Sequence, residues 1–112
     1  MTPKEFVRGF YLEREALIDL YFNSKKQTDV TDLISSLQLD IEKKEILRKV
    51  LKATLRDAFY TVLLGLDGEA NIGGWQETFK ITDQEGNEIS GGDIETFAWE
   101  YFHNEKFETE EG

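Results

Sequence analysis

The sequence predicts a mostly helical α+β fold: three N-terminal helices, the third long and central, then a β-hairpin and a C-terminal helix. Three observations carry this. Apolar residues recur at helical spacing through most of residues 3–66 and again through 94–102. Seven of the nine glycines fall between Gly65 and Gly92, which breaks that rhythm. Inside the break, Thr78 to Asp83 alternates, with Phe79 and Ile81 on one face and Thr78, Lys80 and Thr82 on the other. With 112 residues, 14 of them aromatic, and no repeat or long linker, a single domain over residues 1–112 is expected. The stretch 105–112 holds four Glu and is expected to be a frayed tail.

Each element has its own start and stop. Thr2-Pro3-Lys4-Glu5 combines a capping box with proline at the first helical position. Phe6, Phe10, Leu17 and Tyr21 then mark one face, Arg14 falls inside that apolar arc, and the helix is expected to end near Asn23-Ser24. Arg14 is expected to lay its stem on the core and reach a carboxylate at the rim. Lys25 to Thr28 reads as a loop. Val30, Leu33, Ile34 and Leu37 form a short second helix, capped by Asp29 or Thr31. Asp40 caps the third, from about Ile41 to Leu64 or Leu66, whose second half is apolar nearly all round and is expected to be the buried centre. Gly65 and Gly68 end it. Gln84-Glu85-Gly86-Asn87 is the expected turn, with Glu88-Ile89-Ser90 as the returning strand. Ser90, Gly92 or Asp93 then caps the last helix, with Ile94, Phe97, Ala98, Tyr101 and Phe102 inside.

Composition excludes several classes of function. No cysteine means no disulfide framework, no thiolate nucleophile and no cysteine zinc site. No stretch is apolar enough to span a bilayer, and the amino-terminal residues carry no secretory pattern, so cytoplasmic residence is expected. A formal charge of −10 disfavours nucleic acid and anionic membranes as partners.

Catalytic and metal chemistry find little support. His103, the one histidine, lies about 180° from Ile94 on the last helix and is expected to face solvent. Asp67-Gly-Glu-Ala-Asn71-Ile-Gly73 alternates oxygen side chains as a calcium loop does, but its glycine is one place late and Thr78 stands where a bidentate Glu belongs. Asp83 to Asn87 repeats the alternation where a turn is expected. The glycine pairs 73–74 and 91–92 fit neither phosphate-loop pattern. A non-enzymatic chain with no cofactor, no metal and no catalytic residue is the expectation. The Lys44, Arg48, Lys52, Arg56 stripe at i+4 is expected to pair with the acidic half.

Charge is distributed unevenly. Residues 1–66 carry 11 basic and 10 acidic side chains, whereas residues 67–112 carry 2 basic and 13 acidic. Gathered in one region, such carboxylates attract and steer a basic partner. Trp99 lies about 140° from Ile94, at the edge of the inner face, with Glu95, Glu100 and His103 around it. An aromatic ringed by carboxylates has the composition of an interface anchor. The expected partner-binding residues are Asp67, Glu69, Trp75, Glu77, Glu88, Glu95, Trp99, Glu100 and His103.

The run from Leu63 to His103, with Gly65-Leu66-Asp67-Gly68 and Gly86-Asn87-Glu88-Ile89, resembles small acidic α+β proteins of bacterial toxin–immunity systems and related uncharacterised families. The resemblance spans about residues 55–103, and its motifs are structural rather than chemical. It implies a cytosolic protein that binds and neutralises a basic protein, commonly a cationic nuclease toxin, and it carries over no particular binding residue. Two alternatives stand beside it. One is a small adaptor that forms a homodimer through the hairpin edge or the third helix. The other is a small-ligand or metal-binding domain built on the Asp67–Gly74 loop and a pocket near Arg14.

Overall fold

Four helices form in the order α1 (Pro3–Tyr21), α2 (Asp29–Ser36), α3 (Ile41–Leu66) and α4 (Asp93–Phe102). This computed structural model describes residues 1–23 and 25–104; Ser24 and the tail expected to fray lie outside the described residues. The described residues are 61% helical and contain no strand, so the α+β class with a hairpin is not what the chain adopts.

The helix starts follow side-chain chemistry. The Glu5 N–H donates to Thr2 Oγ1 at 3.1 Å and the Thr2 N–H returns to Glu5 Oε1 at 3.0 Å, a reciprocal box before Pro3. Asp40 Oδ1 accepts from the Lys43 N–H at 2.8 Å and opens α3. Thr28, rather than Asp29 or Thr31, caps α2: its Oγ1 accepts the Thr31 N–H at 3.0 Å. Thr31 is buried, and its own hydroxyl reaches the Leu20 carbonyl at 3.3 Å. α3 stops in a left-handed turn at Gly68 (φ 78°), where Gly68 N–H meets the Gly65 carbonyl and Glu69 N–H meets the Leu64 carbonyl. That pair of bonds is the Schellman arrangement, which glycine adopts without steric cost.

The hairpin fails for a definable reason. The chain does reverse at 83–87, yet its arms meet only in one antiparallel bridge, Thr82 with Glu88. Beyond that bridge the Ile89 N–H reaches the Ile81 carbonyl, but the Ile81 N–H is taken by Ser90 Oγ at 2.9 Å, a side chain in place of a ladder partner. Gly91 and Gly92 then turn to φ 119° and 113°, and their N–H groups point to a different acceptor. A return arm of three residues closed off at both ends cannot propagate pairing. A second isolated bridge, Ile72 with Trp75, closes the preceding loop.

Asp83 organises the reversal. Its carboxylate accepts from the Met1 ammonium at 2.6 Å, from the backbone N–H groups of Glu85 and Asn87 at 2.9 Å, and from Asn87 Nδ2 at 3.0 Å. The Met1 ammonium first, and Asn87 next, hold it well below the usual carboxylate range. Glu5 is also lowered, chiefly by the Thr2 N–H. Depressed carboxylates contribute stability that is present above their unfolded values and lost as pH falls through the folded ones. Thermal midpoints are therefore expected to hold steady from neutral pH down to about 5 and to decline below about pH 4. Asp83→Asn should lower the midpoint at neutral pH and flatten the acid decline; an unchanged acid limb in that variant contradicts this account.

The chain divides into two compact units, Met1–Tyr11 with Asp57–Gly112, and Leu12–Arg56. The first holds a core of Val7, Tyr11, Leu63, Ile89, Ile94, Ala98, Tyr101 and Phe102, flanked by Phe6, Phe10, Phe59, Tyr60, Leu64, Ile81 and Phe97. Aromatic edges meet there: Phe10 with Phe59 at 5.7 Å and Phe59 with Phe102 at 6.5 Å. The second unit buries Ile18 and Ile34, along with Thr31 and Arg14. Arg14 donates from Nε and Nη2 to Glu15 Oε1 at 3.2 and 2.8 Å, stem inward and guanidinium on a carboxylate. In the same unit Arg48 sits 5.3 Å from the Phe22 ring and pairs with Asp19 at 2.8 Å, so its partner is not in the acidic half.

The apolar second half of α3 is a further correction. Leu63 is fully buried, but Val62 is 39% exposed, Ala58 and Thr61 are exposed, and Phe59, Tyr60 and Leu64 are half-buried. One face of this helix is a core; the other is surface.

A candidate protein-binding recess on the last helix

α4 is anchored by a carboxylate far from it in sequence. Gly92, its N-cap, offers no side chain. Asp67, just past the end of α3, takes that role: Oδ1 accepts from the Gly91 and Gly92 N–H groups at 2.9 and 2.8 Å, and Oδ2 accepts from the Glu95 N–H at 3.0 Å. Three donors at a helix start are the orphan groups that a carboxylate satisfies best.

Anchored this way, α4 turns Ile94, Ala98, Tyr101 and Phe102 inward. Glu95, Thr96, Trp99, Glu100 and His103 recur at i, i+1, i+4, i+5 and i+8 along one stripe. Tyr60 of α3 faces that stripe. Together Tyr60, Glu95, Thr96, Trp99 and Glu100 line an open recess of about 390 Å³. Trp99 is 54% exposed. His103 stacks on it, with ring centres 5.1 Å apart and planes 21° apart, and meets the Tyr60 ring edge-on at 4.3 Å. Tyr60 has its phenol pushed up, first by burial and then by the charge of Glu95. Neither Glu95 nor Glu100 forms an ion pair among the described residues.

Of the nine residues expected to bind a partner, the structure brings Glu95, Trp99, Glu100 and His103 together. Asp67 is buried and occupied by the α4 backbone, so its carboxylate is not on offer to a partner. Glu69, Trp75, Glu77 and Glu88 are exposed, Trp75 by 74%, and none lines the recess. Tyr60 and Thr96 lie outside the expected set. Thr96 stands four before Glu100 on the same stripe, a spacing that was available to see. Tyr60 carries a hydroxyl within an otherwise apolar run, and such a group seeks a wet or bonded edge.

Among the described residues, no three His, Asp or Glu side chains gather into a group able to hold a metal ion. A hollow in the second unit, lined by Tyr21, Phe22, Thr31, Ile34, Ser35 and Lys44, measures about 30 Å³, room for roughly one water. That is too small for a metabolite. No helix of the described residues is long and apolar enough to cross a membrane. No family model, no curated protein and no solved structure matches this chain.

Proposed function

We propose that the chain is a non-enzymatic protein-binding module of immunity type, which takes a basic protein partner, a cationic toxin, on the outer stripe of α4 and acts in the cytoplasm. One observation carries the reading: a tryptophan more than half exposed, braced by a histidine, in a recess with two carboxylates that form no ion pair among the described residues. The surrounding field suits the same partner. The described residues of this unit hold 11 carboxylates against three cationic side chains, and a surface of one sign raises association rates with the opposite one.

The test is affinity capture with the tagged chain at low and at high ionic strength, followed by purification of the retained cationic protein. Trp99→Ala is expected to weaken that complex about thirtyfold or more, the effect of losing a hot spot of about 2 kcal/mol. Glu95→Gln with Glu100→Gln should weaken it mainly at low salt. A retained protein that binds both variants as tightly as the parent chain overturns the proposal.

Self-association is the second reading, and one observation favours it. In the second unit Leu33, Leu37, Ile41, Ile46 and Val50 are each at least half exposed, Ile41 by 84%. Where exposed apolar side chains form one contiguous patch, they mark interaction surfaces. Light scattering decides: a mass that rises toward a dimer with concentration, and returns to 13.0 kDa in Ile46→Glu, supports it.

A further inference from the structure

We propose that the α4 recess is a receptor for the guanidinium of a partner arginine. The inference rests on the protein-binding reading above and names the group that reading leaves open. Two aromatic rings, Tyr60 and Trp99, and two carboxylates, Glu95 and Glu100, line the recess with Thr96, in about 390 Å³. That combination selects among ligand classes. Anions are repelled by the two carboxylates. An apolar group would strip water from the same carboxylates without replacing its hydrogen bonds. A divalent cation has too few oxygen ligands, since no third acidic or histidine side chain joins the pair in a metal-holding group among the described residues.

A side-chain cation remains, and two features favour arginine over lysine. Guanidinium is planar, so it lies flat on an indole and still offers N–H donors at its edge to carboxylates. It is also more weakly hydrated than an ammonium, which matters in a recess that only partly excludes water. His103 holds the Trp99 ring by stacking, so the ring is positioned before the cation arrives. The raised Tyr60 phenol keeps its proton and stays a donor and acceptor beside Glu95.

The probe is N-acetyl-arginine amide, titrated at constant ionic strength while the two indole N–H resonances are followed by NMR. Trp99→Phe identifies the Trp99 signal, and Trp75, outside the recess, is the internal control. The Trp99 resonance is expected to move saturably and that of Trp75 to stay in place. The midpoint for N-acetyl-lysine amide should lie about tenfold higher. Glu95→Gln with Glu100→Gln should raise the arginine midpoint about tenfold; Glu95 is exposed and Glu100 half-buried, and the same spectra verify the fold. An absent or unsaturable shift, equal midpoints for the two amides, or an unaltered midpoint in the double variant overturns the proposal. The two readings fail separately. If the amide does not bind but the Trp99 and glutamate variants still release the captured protein, the module stands and the arginine receptor falls. If the amide binds but the captured protein ignores these variants, the receptor stands and the partner surface lies elsewhere.

Discussion

Asp67→Ala is expected to lower the unfolding free energy of the Met1–Tyr11 and Asp57–Gly112 unit by about 3 kcal/mol, a large fraction of a small domain's stability. The carboxylate accepts three backbone N–H groups at 2.8 to 3.0 Å and is itself buried. Hydrogen bonds to a charged acceptor contribute about 1.5–3 kcal/mol each when made, and a donor left without an acceptor carries its own penalty. The total falls short of three full bonds because the freed glycine amides can turn toward water. Asp67→Asn keeps one oxygen but turns an amide NH₂ toward donors, so it should lose roughly half as much. Urea unfolding followed by tryptophan fluorescence suits the question, since Trp75 and Trp99 both belong to this unit. Amide exchange at Gly91, Gly92 and Glu95 should accelerate most. A loss under about 1 kcal/mol, with those three amides still protected, contradicts the assigned role. Because the Glu95 N–H is one of the three donors, the same variant should also loosen the start of the recess.

The contrast between Asp67 and α1 shows what a sequence reveals. Thr2, Pro3 and Glu5 act on one another within four residues, so local chemistry specified the helix start and the structure keeps it. Asp67 acts across 24 to 28 residues. Nothing near it announces that partner, and from sequence its carboxylate reads as a surface charge open to a basic partner. The absence of a hairpin is hidden by the same gap. Alternation from Thr78 to Thr82 is a real period-2 pattern, but two long-range acceptors, Ser90 Oγ for Ile81 and Asp67 for Gly91 and Gly92, take the donors a ladder needs. Helix positions were legible because periodicity and caps agree at each one. Within the recess, helical angles placed Glu95, Trp99, Glu100 and His103 on neighbouring positions. Tyr60 escaped because a run of apolar letters hides which residues face out.

Leu63→Ala, beside Val62→Ala, turns that last point into a measurement. The two residues are adjacent in a stretch that is apolar nearly all round, and composition treats them alike. Helical geometry does not: at about 100° per residue, neighbours face different surroundings. Leu63 is fully buried in the cluster with Val7, Tyr11, Ile94, Ala98, Tyr101 and Phe102, whereas Val62 is 39% exposed. Truncating Leu63 removes buried methyl groups and leaves a void that its aromatic neighbours fill only in part, at about 3 kcal/mol. Truncating Val62 removes partly wetted methyls and installs a better helix former, so the two effects nearly cancel and the change stays within about 1 kcal/mol. Urea midpoints of the two variants decide it, again by tryptophan fluorescence. Equal losses would mean that α3 is enclosed on every side. Unequal losses in the expected order would mean that one face of α3 supports α4, and that the recess residue Tyr60 belongs to the half-open margin of that helix.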